Sequence, residues 1–419
     1  MKIISYLTES VSKMSTIFSF GDRRFLKTIS LGAILAMALG MVALSPLARG
    51  AASSAPHLVT TVPTNSQPGA LAFDPFDGNK NMYVSTASGT VQVISSDNNT
   101  IIATISVGSG GSALVFDPFD HSKDMYAANP GTNAVYVIDS KTNAVIATIP
   151  VGLSPSSILY APSNHDLYVV NEQSFTVSVI NGTTNTVIAT IPVPTMAGTA
   201  ALGWSHPMEY DPANQDLYIG PCDPFGQFVD VISTVTNTVI AQIRSGQDPF
   251  YAAFDPTNND MYLDNANNNP HTVSVIDSST NTIVATVLTP APANPSYMAY
   301  DPANTDVYAA NSGGGTVYVI SSSSNTVVAT FGLGDSARSL AYDPANKDMY
   351  AGTISLSVPH VVVIDSQTNT IIATIDVGGQ SSQLVGLTFD PSNHYMYVSN
   401  QEVFYPGLAN QNFVAVTSS

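Results

Sequence analysis

The residue types that could carry chemistry are scarce in this 419-residue chain, and they gather in irregular stretches. Beyond residue 50 there are three glutamates (Glu172, Glu209, Glu402), two arginines (Arg244, Arg338), one tryptophan (Trp204) and one cysteine (Cys222). Trp204 and His206 stand in 192–207, and Asp223 and Phe225 follow Cys222 in 220–228. Asp264 and His271 lie in 264–272, His360 closes 352–360, and Glu402 and Tyr405 lie in 399–412. Aromatic, carboxylate and imidazole side chains can hold a partner by stacking, charge and hydrogen bonding. His, Glu and Arg at one mouth could also do acid–base chemistry. No spacing among them fixes a reaction or a metal. These nine residues (Trp204, His206, Asp223, Phe225, Asp264, His271, His360, Glu402, Tyr405) are therefore expected to form a binding face. No catalytic residue, metal ligand or cofactor is assigned. A single cysteine excludes an intrachain disulfide framework, a Cys-rich zinc site and CxxCH haem attachment. Asn98-Asn99-Thr100 and Asn181-Gly182-Thr183 match the glycosylation sequon, and both are expected at exposed turns.

The N-terminus reads as a targeting segment. Residues 1–28 carry Lys2, Lys13, Arg23, Arg24 and Lys27, the apolar run 29–47 follows, and 48–55 is rich in small residues. Basic, apolar, small-residue is the order of a secretory signal. An uncleaved anchor is the competing reading, since 19 residues can just span a bilayer. Arg23-Arg24 also resembles a twin-arginine signal, without its usual spacer. The chain divides into an export segment (1–50), a short linker (51–57) and an exported body (58–419). Its net charge is −18, and residues 1–50 hold six of the twelve Lys+Arg but two of the thirty acids, so the body alone carries −22. Nucleic acid is excluded as a partner, because phosphate binding needs basic surface.

The elements that must position these residues come from one repeat. An apolar stretch ending in Asp-Pro recurs as LAFDP at 71–75, LVFDP at 114–118, MEYDP at 208–212, AAFDP at 252–256, MAYDP at 298–302, LAYDP at 340–344 and LTFDP at 387–391, with ILYAP at 158–162 as a variant. A Tyr-centred stretch follows each (DMYAAN at 124–129, DLYVVN at 166–171), then an alternating one (VYVID at 135–139), then [VI][VI]AT[VI] (VIATI at 145–149). All four are short, β-branched or aromatic, and bounded by turn residues. No window carries a helical period. Four strands in roughly 45 residues is a propeller blade. The fold class is all-β, one propeller of eight four-stranded blades, with seven as the alternative if one set is misread.

Turn chemistry agrees. The Asp of Asp-Pro can accept from backbone amides ahead of it, and Pro presets φ. Thr-Asn between the third and fourth strands supplies an Asn tolerant of the left-handed conformation. The repeated Asp and Asn are thus read as structural. PFDG at 75–78 and PFDHSKD at 118–124 come closest to a calcium loop, but do not gather the several oxygen ligands one needs. The fourth pattern lacks a copy at the end of the chain, and LVTTV at 58–62 stands spare at the start. The N-terminal strand is expected to complete the last blade as its outermost strand, which removes two sheet edges.

This motif set resembles the YVTN-type β-propeller repeat, over 58–416. YVVN at 168–171 and YVSN at 397–400 are its nearest copies of the signature. The resemblance implies export and display at the cell surface; it supplies no catalytic set. Eight repeats depart from the seven frequent in that family. One tryptophan argues against a quinoprotein propeller, and Trp-Asp and Gly-Gly-Trp patterns are absent. The expected function is a non-catalytic interaction or scaffold module of the cell envelope, a monomeric propeller binding an envelope protein or glycan. It would meet a membrane only through an uncleaved N-terminal segment. The alternative is an exported lactonase-like or lyase-like enzyme using the same face. If the Asp-Pro strand is innermost, Asp-Pro and Thr-Asn turns share one face, and the variable loops lie on the other.

Overall fold

The computed structural model describes residues 55–75, 80–119, 123–193, 208–220, 226–265, 270–289, 295–355, 357–378, 382–402 and 412–418. The export segment, Trp204, His206, Asp223, Phe225 and Tyr405 lie outside these residues. Every element described is a β-strand. Repeat 3 shows the plan: Pro155–Ala161, Asp166–Asn171, Thr176–Asn181 and Thr186–Pro192 pair in that order as an antiparallel meander. The same order holds in repeat 1 (68–106), repeat 2 (113–150), repeat 4 (208–244), repeat 5 (249–288), repeat 6 (295–332) and repeat 7 (336–376).

Repeat 8 has Ser382–Asp390, Tyr395–Glu402 and Phe413–Ser418 from the end of the chain. Its fourth strand is Leu58–Pro63, paired antiparallel with Phe413–Ser418 through Thr61↔Ala415 and Val62↔Val414. The spare N-terminal strand thus sits where the repeat count places it. The hydrogen-bonded sheets number seven rather than eight, six of four strands and one of eight. Repeats 7 and 8 merge because two strands outgrow their equivalents. Asp348–Ser355 and Ser382–Asp390 have 8 and 9 residues, and their ends pair through Ile354↔Gln383 and Ser355↔Ser382. The architecture is propeller-like, built of repeated four-stranded antiparallel units.

Burial follows strand position. Second and third strands are buried on both faces, as in Asp124–Asn129, which is why they read as continuous apolar runs. Fourth strands alternate with one face exposed, and Ile102, Ile146 and Ile188 stand about half exposed on them. The apolar core is divided into eight clusters, each joining one repeat to the next. The last joins Tyr397, Val414 and Val416 of repeat 8 to Met82, Val84 and Ile94 of repeat 1, with Val62 between them. First strands pack beside the first strands of neighbouring repeats, including that of repeat 8 beside that of repeat 1.

The Tyr of the second strand is the joint between repeats. Among the described residues, Tyr83, Tyr126, Tyr168, Tyr218, Tyr262, Tyr308, Tyr350 and Tyr397 are the largest fully buried side chains. Seven of these hydroxyls donate to the turn Asn of the following repeat. The pairs are Tyr83–Asn143 (2.8 Å), Tyr126–Asn185 (2.7 Å), Tyr168–Asn237 (2.7 Å), Tyr218–Asn281 (2.6 Å), Tyr262–Asn325 (2.7 Å), Tyr308–Asn369 (2.7 Å) and Tyr397–Asn99 (2.5 Å). Each of these Asn residues also holds φ between 51 and 56°, the left-handed conformation the hairpin needs. Tyr350 faces the repeat whose third and fourth strands are the two chain ends, where no such turn exists. Its hydroxyl accepts from Asn346 instead. There the ends are tied by His57 N donating to Ser418 Oγ and Ser418 N to His57 O.

Candidate functional site

Two faces of the assembly differ in kind. On one lie the turns after first strands and the turns after third strands, stitched together across repeats. Asn164 Nδ2 donates to Thr234 O, Asn304 Nδ2 to Ser366 O, and Asn393 Nδ2 to Ser96 O. The Asp of each Asp-Pro is buried, and six of them accept from the backbone N–H two residues on. Examples are Asp211 from Ala213 N (2.7 Å), Asp255 from Thr257 N (2.8 Å) and Asp301 from Ala303 N (2.8 Å). The positive φ falls one residue after the turn Asn, at His165, Gln215, Asn259, Thr305, Lys347 and His394. Carboxylates meet across strands here, as Asp211↔Asp216 and Asp255↔Asp260↔Asp277. Burial, then Asp211, pushes Asp216 up to about 6. Burial, then Asp277 and Asp255, pushes Asp260 up to about 6. Asp211, Asp255 and Asp277 each hold a turn, and among the described residues no three His, Cys, Asp or Glu are set to grip a metal ion.

The other face carries the loops after second and fourth strands. The Asn ending the second strand is structural: Asn129 Oδ1 accepts from Gly131 N and Thr132 N, and Asn171 Nδ2 donates to Thr176 and Ser178 hydroxyls. Two cavities open between these loops. The larger, about 610 Å³, lies between repeats 6 and 7 and is lined by Gly313, Gly314, Gly315, Gly334, Asp335 and Ser355 among others. Gly315 has φ +59°, and a Cβ there would come within 2.7 Å of Asp335 O. Only glycine lets the two loops approach so closely. Asp335 Oδ2 lies 3.2 Å from His360 Nε2, and Asp376 Oδ1 lies 3.9 Å from His360 Nδ1. Ser355 and Ser357 hydroxyls bond each other at 2.9 Å. No described hydroxyl is bonded to the His360 ring, and glycine, serine and Asp335 line the cavity beside it.

Among the residues expected on the binding face, His360 stands beside Asp335, a residue of that cavity's wall. Asp264 is not available to a partner. It belongs to the strand Asp260–Asn265 and is fully buried, opposite Val273. Neither of its carboxylate oxygens has a partner, and burial, then Asp248, raises its pKa well above the ordinary value. The reason is register: Asp264 occupies the position of Ala128, Val170 and Ala310, one residue before the structural Asn. His271 precedes the strand Thr272–Asp277, with Nδ1 buried and unpartnered. Glu402 ends the strand Tyr395–Glu402, backbone paired with Ser382. Of the sequons, Asn98 is exposed, with Oδ1 accepting from Thr100 N and Oγ1. Asn181 is half-buried rather than exposed, because it ends a strand and its Nδ2 donates to Asp166 Oδ1.

Asp335 escaped the sequence reading, and Glu209 entered it only as one of three glutamates, not as a binding-face residue. Asp335 has no signal beyond following Gly334. Glu209 has one: in MEYDP it stands where the other first strands carry Ala72, Val115, Leu159, Ala253, Ala299, Ala341 and Thr388. Its carboxylate accepts from Phe254 N, and burial pushes it up to about 7. Tyr297, raised by burial and by Glu209, stacks tilted on Tyr251 at 4.8 Å. Three consecutive first strands thus converge on one acid.

No family model matches the chain, and no curated protein sequence matches it. Among solved structures the chain is similar to the computationally designed protein Ika8, with a TM-score of 0.63 and 15% identity over 85% of this chain and 99% of that one. That likeness bears on the fold alone.

Proposed function

We propose that the chain is an exported or surface-attached β-propeller of eight blades, closed by the N-terminal strand, and that it serves as a non-catalytic interaction module of the cell envelope. The observation that carries this is the contrast between faces. One is spent on stitched, repeated turns, while the other holds two cavities and irregular loops on a rigid frame. Closure is supported by the cycle of eight inter-repeat cores and by the Tyr397–Asn99 bond from the last repeat to the first. The merged pair of repeats counts as two blades in this reading. Export rests on the order of charges and apolar residues in 1–50, and kinship with YVTN-type repeats rests on the motif set. An acidic body of net −22 favours basic protein surfaces, cations or neutral glycans as partners.

Full-length protein immobilised against envelope extract should retain a partner, and a lactone-hydrolysis screen should give no turnover. Lactone turnover abolished by Glu209→Gln or His360→Ala would overturn the non-catalytic reading in favour of the exported enzyme.

A further inference from the structure

The second cavity on the loop face has a volume of about 350 Å³ and spans the starts of the first strands of repeats 1, 2 and 3. Gly69, Gly111, Ser112, Ser154 and Ser156 form much of its wall, and Glu172 is its one charged lining residue. Two polar atoms on this wall are buried without a hydrogen-bond partner: Glu172 Oε1 and Ser156 Oγ. Burial raises the Glu172 carboxyl above its ordinary value, and the nearby Ser156 hydroxyl offsets part of that rise. The Glu172 backbone is fixed by its N–H donating to Ser154 O at 3.0 Å. At the same point after the second strand, other repeats carry Ala87, Pro130, Ser312, Ile354 and Gln401, so the acid is particular to this repeat.

An ionised carboxylate oxygen is acceptor-only, so what satisfies it must be a donor. A buried acceptor without one costs free energy that a ligand donor would offset. Glycine and serine walls let a ligand reach the backbone. The six cationic side chains beyond residue 50 (Lys80, Lys123, Lys141, Arg244, Arg338, Lys347) are absent from the cavity lining. The field of a strongly acidic body draws a cation there in preference to a neutral hydroxyl.

We propose that this cavity binds a primary ammonium group, carried by an amino sugar or by a lysine side chain, with Glu172 as counter-charge and Ser156 as second acceptor. This deepens the loop-face reading by naming a ligand chemistry for one part of that face.

Saturation-transfer NMR and calorimetry on the full chain test it with four probes: glucosamine, glucose, Nα-acetyl-lysine methylamide and Nα-acetyl-norleucine methylamide. At least one ammonium probe should bind saturably and its neutral counterpart should not. Glucosamine alone points to an amino sugar, and the lysine probe alone to a protein side chain. Glu172→Gln should weaken binding about tenfold or more, the loss of one charge-assisted hydrogen bond. Gly111→Leu should abolish it by filling the cavity, since a Cβ there meets no atom within 4 Å and the fold has room for it. Equal binding of glucose and glucosamine, no change in either variant, or no saturable ammonium binding would overturn the proposal. Capture of an envelope partner that survives both variants would leave the broader loop-face reading standing.

Discussion

Glu209 should contribute a stability that rises as pH falls, against the usual trend for a carboxylate. Its carboxyl titrates at 4.5 when free and at about 7 in the fold, where burial outweighs the hydrogen bond from Phe254 N. A raised carboxyl means the folded state holds the proton more tightly. Below pH 4.5 both states are neutral and nothing is lost. Between pH 4.5 and about 7 the unfolded chain ionises first, and the penalty on the fold grows. Above about 7 it is constant. At about 1.4 kcal/mol per pH unit the rise amounts to ~3 kcal/mol. The side chain is half-buried by exposure, so water screens part of this, and 1–2 kcal/mol is the expected size, on the order of a modest salt bridge. Glu209→Gln keeps the acceptor for Phe254 N and removes the titration. In urea unfolding followed by circular dichroism, the variant should exceed the parent by about 1–2 kcal/mol at pH 8 and match it at pH 4. A difference that does not change with pH, or a variant less stable at pH 8, would refute this account of the acid.

Three further outcomes follow from the joints between repeats. Asn281 both holds φ 55° and accepts from Tyr218, so Asn281→Gly should cost about 1 kcal/mol for the lost bond and Asn281→Ala about 2 kcal/mol, read from urea midpoints. Burial raises the second-strand tyrosines (Tyr308 and Tyr397 to about 12), so stability should fall as pH climbs above 10, where the unfolded chain ionises first. Phenolate absorbance should then appear together with loss of circular dichroism, and phenolate forming in a folded protein would contradict it. Deleting 55–63 should lower the unfolding midpoint, and a peptide of that sequence added in trans should restore it. A midpoint unmoved by the deletion would show that the strand pairing contributes nothing.

Much of the frame was legible because each repeat repeats its own solution. β-branched runs between Asp-Pro, Asn and Thr-Asn fix strand positions locally, and the same Asn hairpins recur with the same φ. The spare strand at 58–62 was legible by counting. What escaped depends on contacts between repeats. The extra strand residues Ile354 and Ser355, paired with the extra Gln383 and Ser382, were enough to merge two sheets, and no local rule announces that. Asp264 was read as a loop residue because an acid beside Asn looks like one. In register it is a strand residue in an apolar slot. Asp335 meets His360 only once the strands between them have paired, and no local pattern marks that contact. Glu172 meets its cavity only through three consecutive repeats. Glu209 broke a column visible in the repeat alignment, and comparing first strands position by position would have found it.

The most direct measurement of the central claim places a photo-crosslinking residue at Ser357 on the loop face or at Asn98 on the turn face, both exposed. Each full-length protein is irradiated with envelope extract and the adducts are compared by mass spectrometry. The account predicts one dominant adduct from position 357 and none above background from position 98. The same adduct from both positions, or from position 98 alone, would contradict it.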